Sequence, residues 1–247
     1  RLFGILNGSN YKDIRSPKRK LIYRNIIKAI FIWLQQESKK YKADFLAHTG
    51  EKVVEFLGTP PDFICSSVAR LTEQKFYFLK RSPEAFVEIL NKLEEVNGVF
   101  MLLGTGAPEY EELFRELSHK QRNFIFINAQ SEDVIDSIYL ETNLYFMPSL
   151  FEPCGISQML AMRNGNPCLV HHTGGLKDTV KDGITGFFFD GESYDDKIQD
   201  MIRMFEKALA VYFNDQPQWK QIQSNAKKMR FTWKNSVAEY YKRLYQL

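Results

Sequence analysis

The sequence is short of cysteine and of long apolar runs, and each shortage excludes a class of protein. Cysteine occurs at positions 65, 154 and 168, without a C-x-x-C spacing, which excludes a disulfide framework and a structural zinc site. A reducing cytoplasm fits this usage best. The longest apolar stretch, residues 26–34, is interrupted by Lys28 and is well short of the roughly 20 residues that a membrane helix needs. We therefore expect no membrane partner.

Net charge and turn-forming residues are also scarce. A formal net charge of +3, from 33 Lys and Arg against 30 Asp and Glu, is too small to indicate a nucleic-acid partner, although it permits a local basic pocket. The 14 Gly and 9 Pro residues exclude collagen-like and linker-like chains, and 14% aromatic residues exclude a disordered one. The chain starts at Arg1 with no apolar leader after it, so we expect a piece of a longer protein.

From residue 60 onward, short β-branched or aromatic runs alternate with amphipathic stretches. This alternation predicts an α/β domain with a Rossmann-like, doubly wound parallel sheet. The expected strands are 63–68, 99–103, 124–128, 144–148, 168–171 and 186–189. The expected helices between them are 83–96, 109–120, 131–142, 155–164 and 175–182.

The two ends of the chain follow other patterns. Residues 195–213, 218–229 and 234–247 are predicted to form three C-terminal helices in succession. Near the start, residues 4–7 resemble a strand that runs into an Asn-Gly turn. Residues 19–57 are mostly helical in period, with breaks near Lys42 and Gly50.

Right-handed crossovers would place every strand-to-helix loop at the carboxyl ends of the strands, so the chemistry is expected in those loops. After the second strand, Gly104 and Gly106 would let a backbone approach a phosphate closely. Position 109 is Glu109, so the dinucleotide fingerprint is incomplete, and no P-loop motif is present. A tight turn without a ligand explains these glycines equally well.

Arg70 and Lys75 follow the first strand, five residues apart. Surface cations are usually only solvated. At a strand's carboxyl end, however, a guanidinium and an ammonium group could converge on one multiply charged anion such as a diphosphate.

The loop after the fourth strand contains Glu152 and Cys154 and leads into a helix. The Glu152 carboxylate could bind sugar hydroxyls or balance positive charge in a transition state, or it could merely cap the helix. The amides of residues 155–157 form a helix N-terminus suited to phosphate. Cys154 is read as a small apolar residue packed under the loop rather than a nucleophile, because no His lies nearby in sequence.

His171 and His172 end the fifth strand and precede the pair Gly174 and Gly175. Two adjacent histidines suggest a metal site, but neighbouring strand residues point to opposite faces of a sheet. No Asp-x-Asp motif occurs either, so we expect no metal.

Four blocks in this order resemble the motifs of bacterial glycogen synthases and plant starch synthases. They are Arg-Leu-Thr-Glu-Gln-Lys at 70–75, Gly-Thr-Gly at 104–106, Met-Pro-Ser-Leu-Phe-Glu-Pro-Cys-Gly at 147–155 and His-Thr-Gly-Gly-Leu-Lys-Asp-Thr-Val at 172–180. Residues 4–8 also resemble the hinge segment of that family, and residues 231–233 its C-terminal end. The resemblance therefore extends over the whole chain.

The resemblance implies the C-terminal, nucleotide-sugar-binding domain of a GT-B glycosyltransferase. Residues 1–18 would be the interdomain hinge, 19–230 the donor-binding domain and 231–247 a helix that crosses back to the N-terminal domain, which is absent from this chain. Such enzymes transfer glucose from ADP-glucose, with retention and without a metal, to the non-reducing end of an α-1,4-glucan. UDP-glucose is the other donor considered, and no cofactor is implied. The compartment would be the cytoplasm, or the plastid in a plant.

Positions carried over from the family define a candidate site. Arg70 and Lys75 would neutralise the diphosphate leaving group, and Glu152 would contact the donor sugar near its developing oxocarbenium charge. The amides of residues 155–157 and 173–175 would hold phosphate or sugar oxygens. The nucleotide-sugar-binding residues implied in this way are Asn7, Gly104, Gly106, Gln130, Cys154, Gly155, Ile156, Ser157, Thr173, Gly174 and Gly175.

Three departures from the family pattern qualify these expectations. Phe76 follows Lys75 where a Gly is usual and would crowd that loop, and Gln130 stands where the base usually stacks on a Tyr. Leu160 replaces the second Glu of broader relatives, which favours the glycogen and starch branch. The alternative function is therefore a synthase-like module that binds a nucleotide or glucan without catalysis.

Overall fold

A six-stranded parallel sheet forms the centre of the protein. The computed structural model describes residues 4–9, 22–37 and 43–245. The strands are β1 (Phe63–Val68), β2 (Gly98–Leu103), β3 (Phe124–Ile127), β4 (Leu144–Met147), β5 (Cys168–His171) and β6 (Gly186–Phe189). Their order is β3-β2-β1-β4-β5-β6, and every neighbouring pair is parallel. The predicted doubly wound α/β fold is confirmed.

The strands are continuous apolar runs in the sequence because helices cover both faces of the sheet. Every residue of β1 to β5 is buried. Aromatic side chains fill the space between sheet and helices, as where Phe86 packs edge-on against Phe100 and Phe124, with ring centroids 5.0 and 5.1 Å away. This burial is what a parallel sheet requires of its sequence.

The helices begin and end where local sequence signals place them. Their bounds are α1 (Ile22–Glu37), α2 (Ala43–Gly58), α3 (Glu73–Arg81), α4 (Pro83–Glu94), α5 (Pro108–Lys120), α6 (Glu132–Glu141), α7 (Ser157–Arg163), α8 (Leu176–Thr179), α9 (Tyr194–Asn214), α10 (Gln216–Lys228) and α11 (Trp233–Tyr240), with a π-helical turn at Tyr241–Tyr245. Proline occupies the first turn of α4 and α5, where its missing N–H costs nothing. Ser193 and Asp196 form a capping box that starts α9.

The C-terminal helices α9, α10 and α11 follow one another as predicted, and the helix expected at 175–182 is only the short α8. No helix in the described ranges combines the length and apolarity that crossing a bilayer demands.

The N-terminal predictions were partly wrong. Residues 4–7 are not a strand; instead Ser9 forms an isolated bridge with Thr232, and its N–H donates to the Phe231 carbonyl at 2.6 Å. The segment therefore packs beside α11 rather than in the sheet. The predicted break at Gly50 is absent, since α2 continues through it. The break near Lys42 and the start at Arg19 lie outside the described residues, as do positions 1–3 and 10–18 of the predicted hinge and 246–247 of the predicted crossing helix.

The sequence pattern does not predict helix α3, and Phe76 does not crowd a loop as expected. The backbone of Phe76 leaves the helical region at φ −129° and ψ 24°, which turns the Phe76 ring into the core. There it packs edge-on against Phe114 at 5.2 Å. Helix α3 has nine residues, and the kink at Phe76 interrupts it.

Candidate active site

The carboxyl edge of the sheet is the edge at which all six strands end. Strand order reverses between β1 and β4, and in open α/β sheets ligands bind at such a switch point. Loops from β1 and β4 meet there, with the loops after β2 and β5 on either side. Most of the predicted site residues come from these loops, while Gln130 follows β3 and Asn7 lies in the N-terminal segment.

Lys75 and Glu152 form an ion pair across the switch point. Lys75 lies in the first turn of α3, after β1, and Glu152 lies in the loop after β4. Their side chains are 14% and 10% exposed, so little water screens the pair. The sequence separated these residues by 77 positions, and the parallel sheet brings them into contact.

The Glu152 loop, defined as residues 148–154, is held to α3 by further hydrogen bonds. The Leu150 N–H donates to the Gln74 carbonyl at 2.8 Å, and the Gln74 side-chain amide donates to the Phe151 carbonyl at 3.0 Å. Gln74 belongs to the motif at 70–75, but the sequence predicts no role for it. Its position next to Lys75 would have been the only signal.

The predicted pair Gly174 and Gly175 packs under the Glu152 loop. Gly174 adopts a φ of +46°, and a Cβ there would overlap the Glu152 carbonyl oxygen. A Cβ on Gly175 would lie 2.6 Å from the Cys154 Cα. The Gly175 N–H donates to the Glu152 carbonyl at 2.8 Å, so this amide holds the protein's own loop rather than a ligand oxygen. Thr173 likewise donates its N–H within the protein, to the His171 carbonyl at 2.8 Å.

Gly104 and Gly106 permit a close approach of two loops. A Cβ on Gly104 would overlap the Ala69 carbonyl, and a Cβ on Gly106 would overlap that of Leu71. The Gly106 N–H donates to the Glu111 carboxylate at 2.9 Å. Packing alone therefore accounts for both glycines, which was the alternative left open by the sequence.

A hollow of about 190 Å³ lies beside these glycines. Gln130 and Arg70 line it, and the Gln130 amide donates to the Thr105 hydroxyl at 2.9 Å. Arg70 is exposed. The structure thus places Arg70 at this hollow and Lys75 at Glu152, and the predicted convergence of the two cations on one anion stays a prediction.

Asn7 and Cys154 meet at the side of the Glu152 loop. The Asn7 N–H donates to the Cys154 Sγ at 3.4 Å. Burial raises the pKa of the Cys154 thiol above its ordinary value, which disfavours the thiolate that a nucleophile needs. Asn7 also lines a cavity of about 480 Å³ between residues 4–7 and α11.

Gly155, Ile156 and Ser157 lead into α7, a helix of seven residues that begins at Ser157. Gly155 adopts a φ of +73°, which turns the chain from the Glu152 loop into the helix. All three residues therefore follow the loop directly, as expected, and their role in holding a ligand stays a prediction.

The two histidines have separate environments. His171 is buried, and its Nδ1 lies 2.9 Å from the Ser149 carbonyl oxygen. His172 pairs with Asp190 at 3.2 Å and stacks on Phe188 at 4.0 Å. Among the described residues no group of three or more His, Cys, Asp or Glu side chains is arranged to hold a metal ion.

The fold defines an open α/β domain whose loops meet at the switch point of the sheet, and the family of the chain follows from its sequence. The family described as Glycosyl transferases group 1 matches residues 54–229. The chain belongs to this family, and the predicted recognition of a glycosyltransferase domain is confirmed.

One relative is a glycogen synthase from Lachnospira eligens, 34% identical over 251 residues, which cover 99% of this chain and 48% of the relative. Among solved structures, the catalytic domain of Starch Synthase IV from Arabidopsis thaliana, bound to ADP and acarbose, has a TM-score of 0.65 at 21% identity, over 90% of this chain and 53% of that one. Anabaena Alr3699/HepE in complex with UDP and glucose has a TM-score of 0.56 at 20% identity, over 81% of this chain and 52% of that one. The chain spans about half the length of the curated relatives it matches.

Proposed function

We propose that this chain is the donor-binding half of a glucan synthase of the glycogen and starch type. The reaction is transfer of glucose, with retention, from ADP-glucose to the non-reducing end of an α-1,4-glucan. It requires an N-terminal GT-B domain to complete the cleft. The observation that carries the proposal is the Lys75–Glu152 ion pair at the switch point of the sheet.

The ion pair suits departure of a nucleoside diphosphate. Cleavage of the sugar–phosphate bond leaves negative charge on the leaving oxygen and positive charge on the sugar. Lys75 carries three N–H donors, so it can keep its contact with Glu152 while it binds a phosphate oxygen. Glu152 then stands near the sugar's positive charge. Preorganised charges of this kind stabilise a transition state more than the ground state.

The hollow beside Gly104 is the proposed place of the nucleotide base, with Arg70 at the diphosphate end. Gln130 offers a hydrogen-bonding edge there where an aromatic ring would offer a stacking face. The choice of ADP as nucleotide is supported by the starch synthase bound to ADP, while the HepE structure contains UDP.

Calorimetry of this chain with ADP, UDP and ADP-glucose tests donor binding. We expect micromolar affinity for one nucleotide, lost in Arg70→Ala. Lys220→Ala, which removes an exposed lysine on α10, serves as the control. Absence of any binding would contradict the proposal. Incorporation of labelled glucose into glycogen by the full-length protein tests transfer, and binding without transfer would identify the alternative, a non-catalytic module.

A further inference from the structure

Contacts from both neighbouring sides, β1 and β5, hold the Glu152 loop. Toward β1 it is held by Gln74 and Lys75, as described above. Toward β5 it is held at two points: the Gly175 N–H donates to the Glu152 carbonyl at 2.8 Å, and the His171 ring contacts the Ser149 carbonyl at 2.9 Å. Of these two contacts, the one through His171 uses a side chain, while the one through Gly175 uses the backbone.

The His171 ring is fixed in place by its surroundings. It is 5% exposed, stacks on Phe189 at 5.2 Å and meets the edge of Phe78 at 5.0 Å. Rings packed on two sides leave the imidazole little freedom to rotate. Its Nδ1 therefore points steadily at the loop.

The proton on this ring can be assigned from the acceptor. A backbone carbonyl oxygen only accepts, so the nitrogen facing Ser149 must carry the hydrogen. Burial lowers the pKa of His171, and the backbone of Ser149 and Leu150 opposes this effect. A neutral ring with its proton on Nδ1 satisfies both observations.

The side chain of Ser149 does not anchor the loop. It is fully buried, and its hydroxyl has no hydrogen-bond partner in the described part of the chain. The peptide group between Ser149 and Leu150 is therefore held by two contacts, His171 on its carbonyl and the Gln74 carbonyl on its N–H, and together they fix the start of the segment whose end is Glu152. A shift of the loop at Ser149 moves the Glu152 carboxylate relative to Lys75, because only two residues lie between Ser149 and Glu152.

We propose that His171 is a positioning residue, which holds the Glu152 loop through its Nδ1–H and so sets the place of the carboxylate. For its effect on the sugar nucleotide, this inference rests on the proposed function. It differs from a purely structural role because the loss of the hydrogen bond should weaken binding of the sugar part of the donor and spare the nucleoside diphosphate part.

Three variants of this chain separate the two roles. His171→Phe keeps an aromatic ring between Phe78 and Phe189 but removes the donor. His171→Asn places an amide N–H near the position of Nδ1. His119→Phe makes the same chemical change on an exposed helix end of α5, far from the loop.

Calorimetry should show that His171→Phe weakens ADP-glucose binding about tenfold, as loss of one hydrogen bond would, while ADP binding stays within twofold. His171→Asn should recover most of the ADP-glucose affinity, and His119→Phe should match the wild type. Equal weakening of ADP and ADP-glucose, or no change in either, would overturn the inference.

Nitrogen-15 NMR of the His171 ring in the wild type tests the hydrogen bond without any ligand. The expected result is a neutral ring protonated on Nδ1. A ring protonated only on Nε2 would overturn the inference even if nucleotides bind. If the wild-type chain binds neither ADP nor ADP-glucose, the proposed function fails. The role of His171 is then decided by the ring tautomer and by hydrogen exchange of the Leu150 amide, which should be faster in His171→Phe than in His171→Asn; equal exchange in both would overturn the inference.

Discussion

Each edge of the sheet has a lysine that is largely shielded from water, but the groups that balance the lysine's charge differ. At the carboxyl edge Lys75 faces the Glu152 carboxylate. At the amino edge, where the strands begin, Lys52 of α2 donates to the carbonyls of Gln121 at 2.7 Å and Phe124 at 2.9 Å and to that of Ser118. A lysine that pairs with a carboxylate can keep this contact and also donate to an incoming anion. A charge held by neutral carbonyls at a helix end can only stabilise the fold.

The amino edge also buries a carboxylate. Glu141, at the end of α6, is 2% exposed and accepts a hydrogen bond from the Ile26 N–H of α1 at 3.1 Å. Burial raises its pKa to about 7, and burial lowers the pKa of Lys52 to about 8. Both groups attach the N-terminal helices α1 and α2 to the sheet domain, and neither lies near the switch point. The comparison predicts function at one edge and stability at the other.

The largest expected effect is that of Lys75→Ala in the full-length protein. Loss of a preorganised cation typically costs about 3 kcal/mol of transition-state stabilisation, so glucose transfer should fall at least 100-fold. Circular dichroism should show the fold retained, because the substitution removes one ion pair and leaves the apolar packing of the sheet unchanged. Lys220→Ala is the matched control, and a Lys75→Ala enzyme with normal turnover would remove Lys75 from the site.

Lys52→Met should act on stability alone. The substitution keeps the apolar stem and leaves buried carbonyls without their donor, which should lower the free energy of unfolding by about 2 kcal/mol in urea titrations. Nucleotide affinity should stay the same. Weaker nucleotide binding by a variant of unchanged stability would contradict the separation of the two edges.

Glu141→Gln should change the pH dependence of stability. Since the pKa of Glu141 is raised from 4.5 to about 7 in the fold, the folded chain binds more protons than the unfolded chain between these values. The contribution of Glu141 to stability is therefore fully present below pH 4.5 and is lost as the pH rises to about 7, by at most about 1.4 kcal/mol per pH unit.

The measurement for this variant is urea unfolding across that pH range, in parallel with the wild type. As the pH rises, the wild type should steadily lose unfolding free energy relative to Glu141→Gln. A constant difference for Glu141→Gln would mean that its carboxyl group titrates alike in the folded and unfolded chains.

The smallest effect is expected from Gln130→Tyr at the hollow of the carboxyl edge. A tyrosine ring stacked on the base contributes about 1 kcal/mol, so ADP should bind about fivefold tighter by calorimetry, without a change in unfolding free energy. Unchanged or weaker ADP binding would place the base elsewhere.

The strands could be predicted from the sequence because a buried parallel strand leaves a local signal. Each was found within one or two residues of its observed bounds, since covered strands are continuously apolar. Helix α3 has no continuous apolar run of this kind, and residues 4–7 resemble a strand in sequence but do not form one. Their conformations depend on contacts with distant residues, Phe114 for Phe76 and Phe231 for Ser9.

The candidate site was predictable in its residues but not in its contacts. Recognisable motifs identified Lys75, Glu152 and Gly175 from their order along the chain. That Gly175 donates its amide to the Glu152 carbonyl, and that His171 contacts Ser149, could not be read from spacing. These contacts join loops from different strands, and their geometry follows from strand order.

The amino-acid sequence by itself therefore determined the parallel sheet, the family and the loops that carry the chemistry, because hydrophobic periodicity and motif order are local properties. The tertiary structure decided which charges meet. Lys75 reaches Glu152 because β1 and β4 are neighbours in the sheet, although 77 positions separate the two residues. The pairing of a charge depends on distance in space, and only the packed sheet sets that distance.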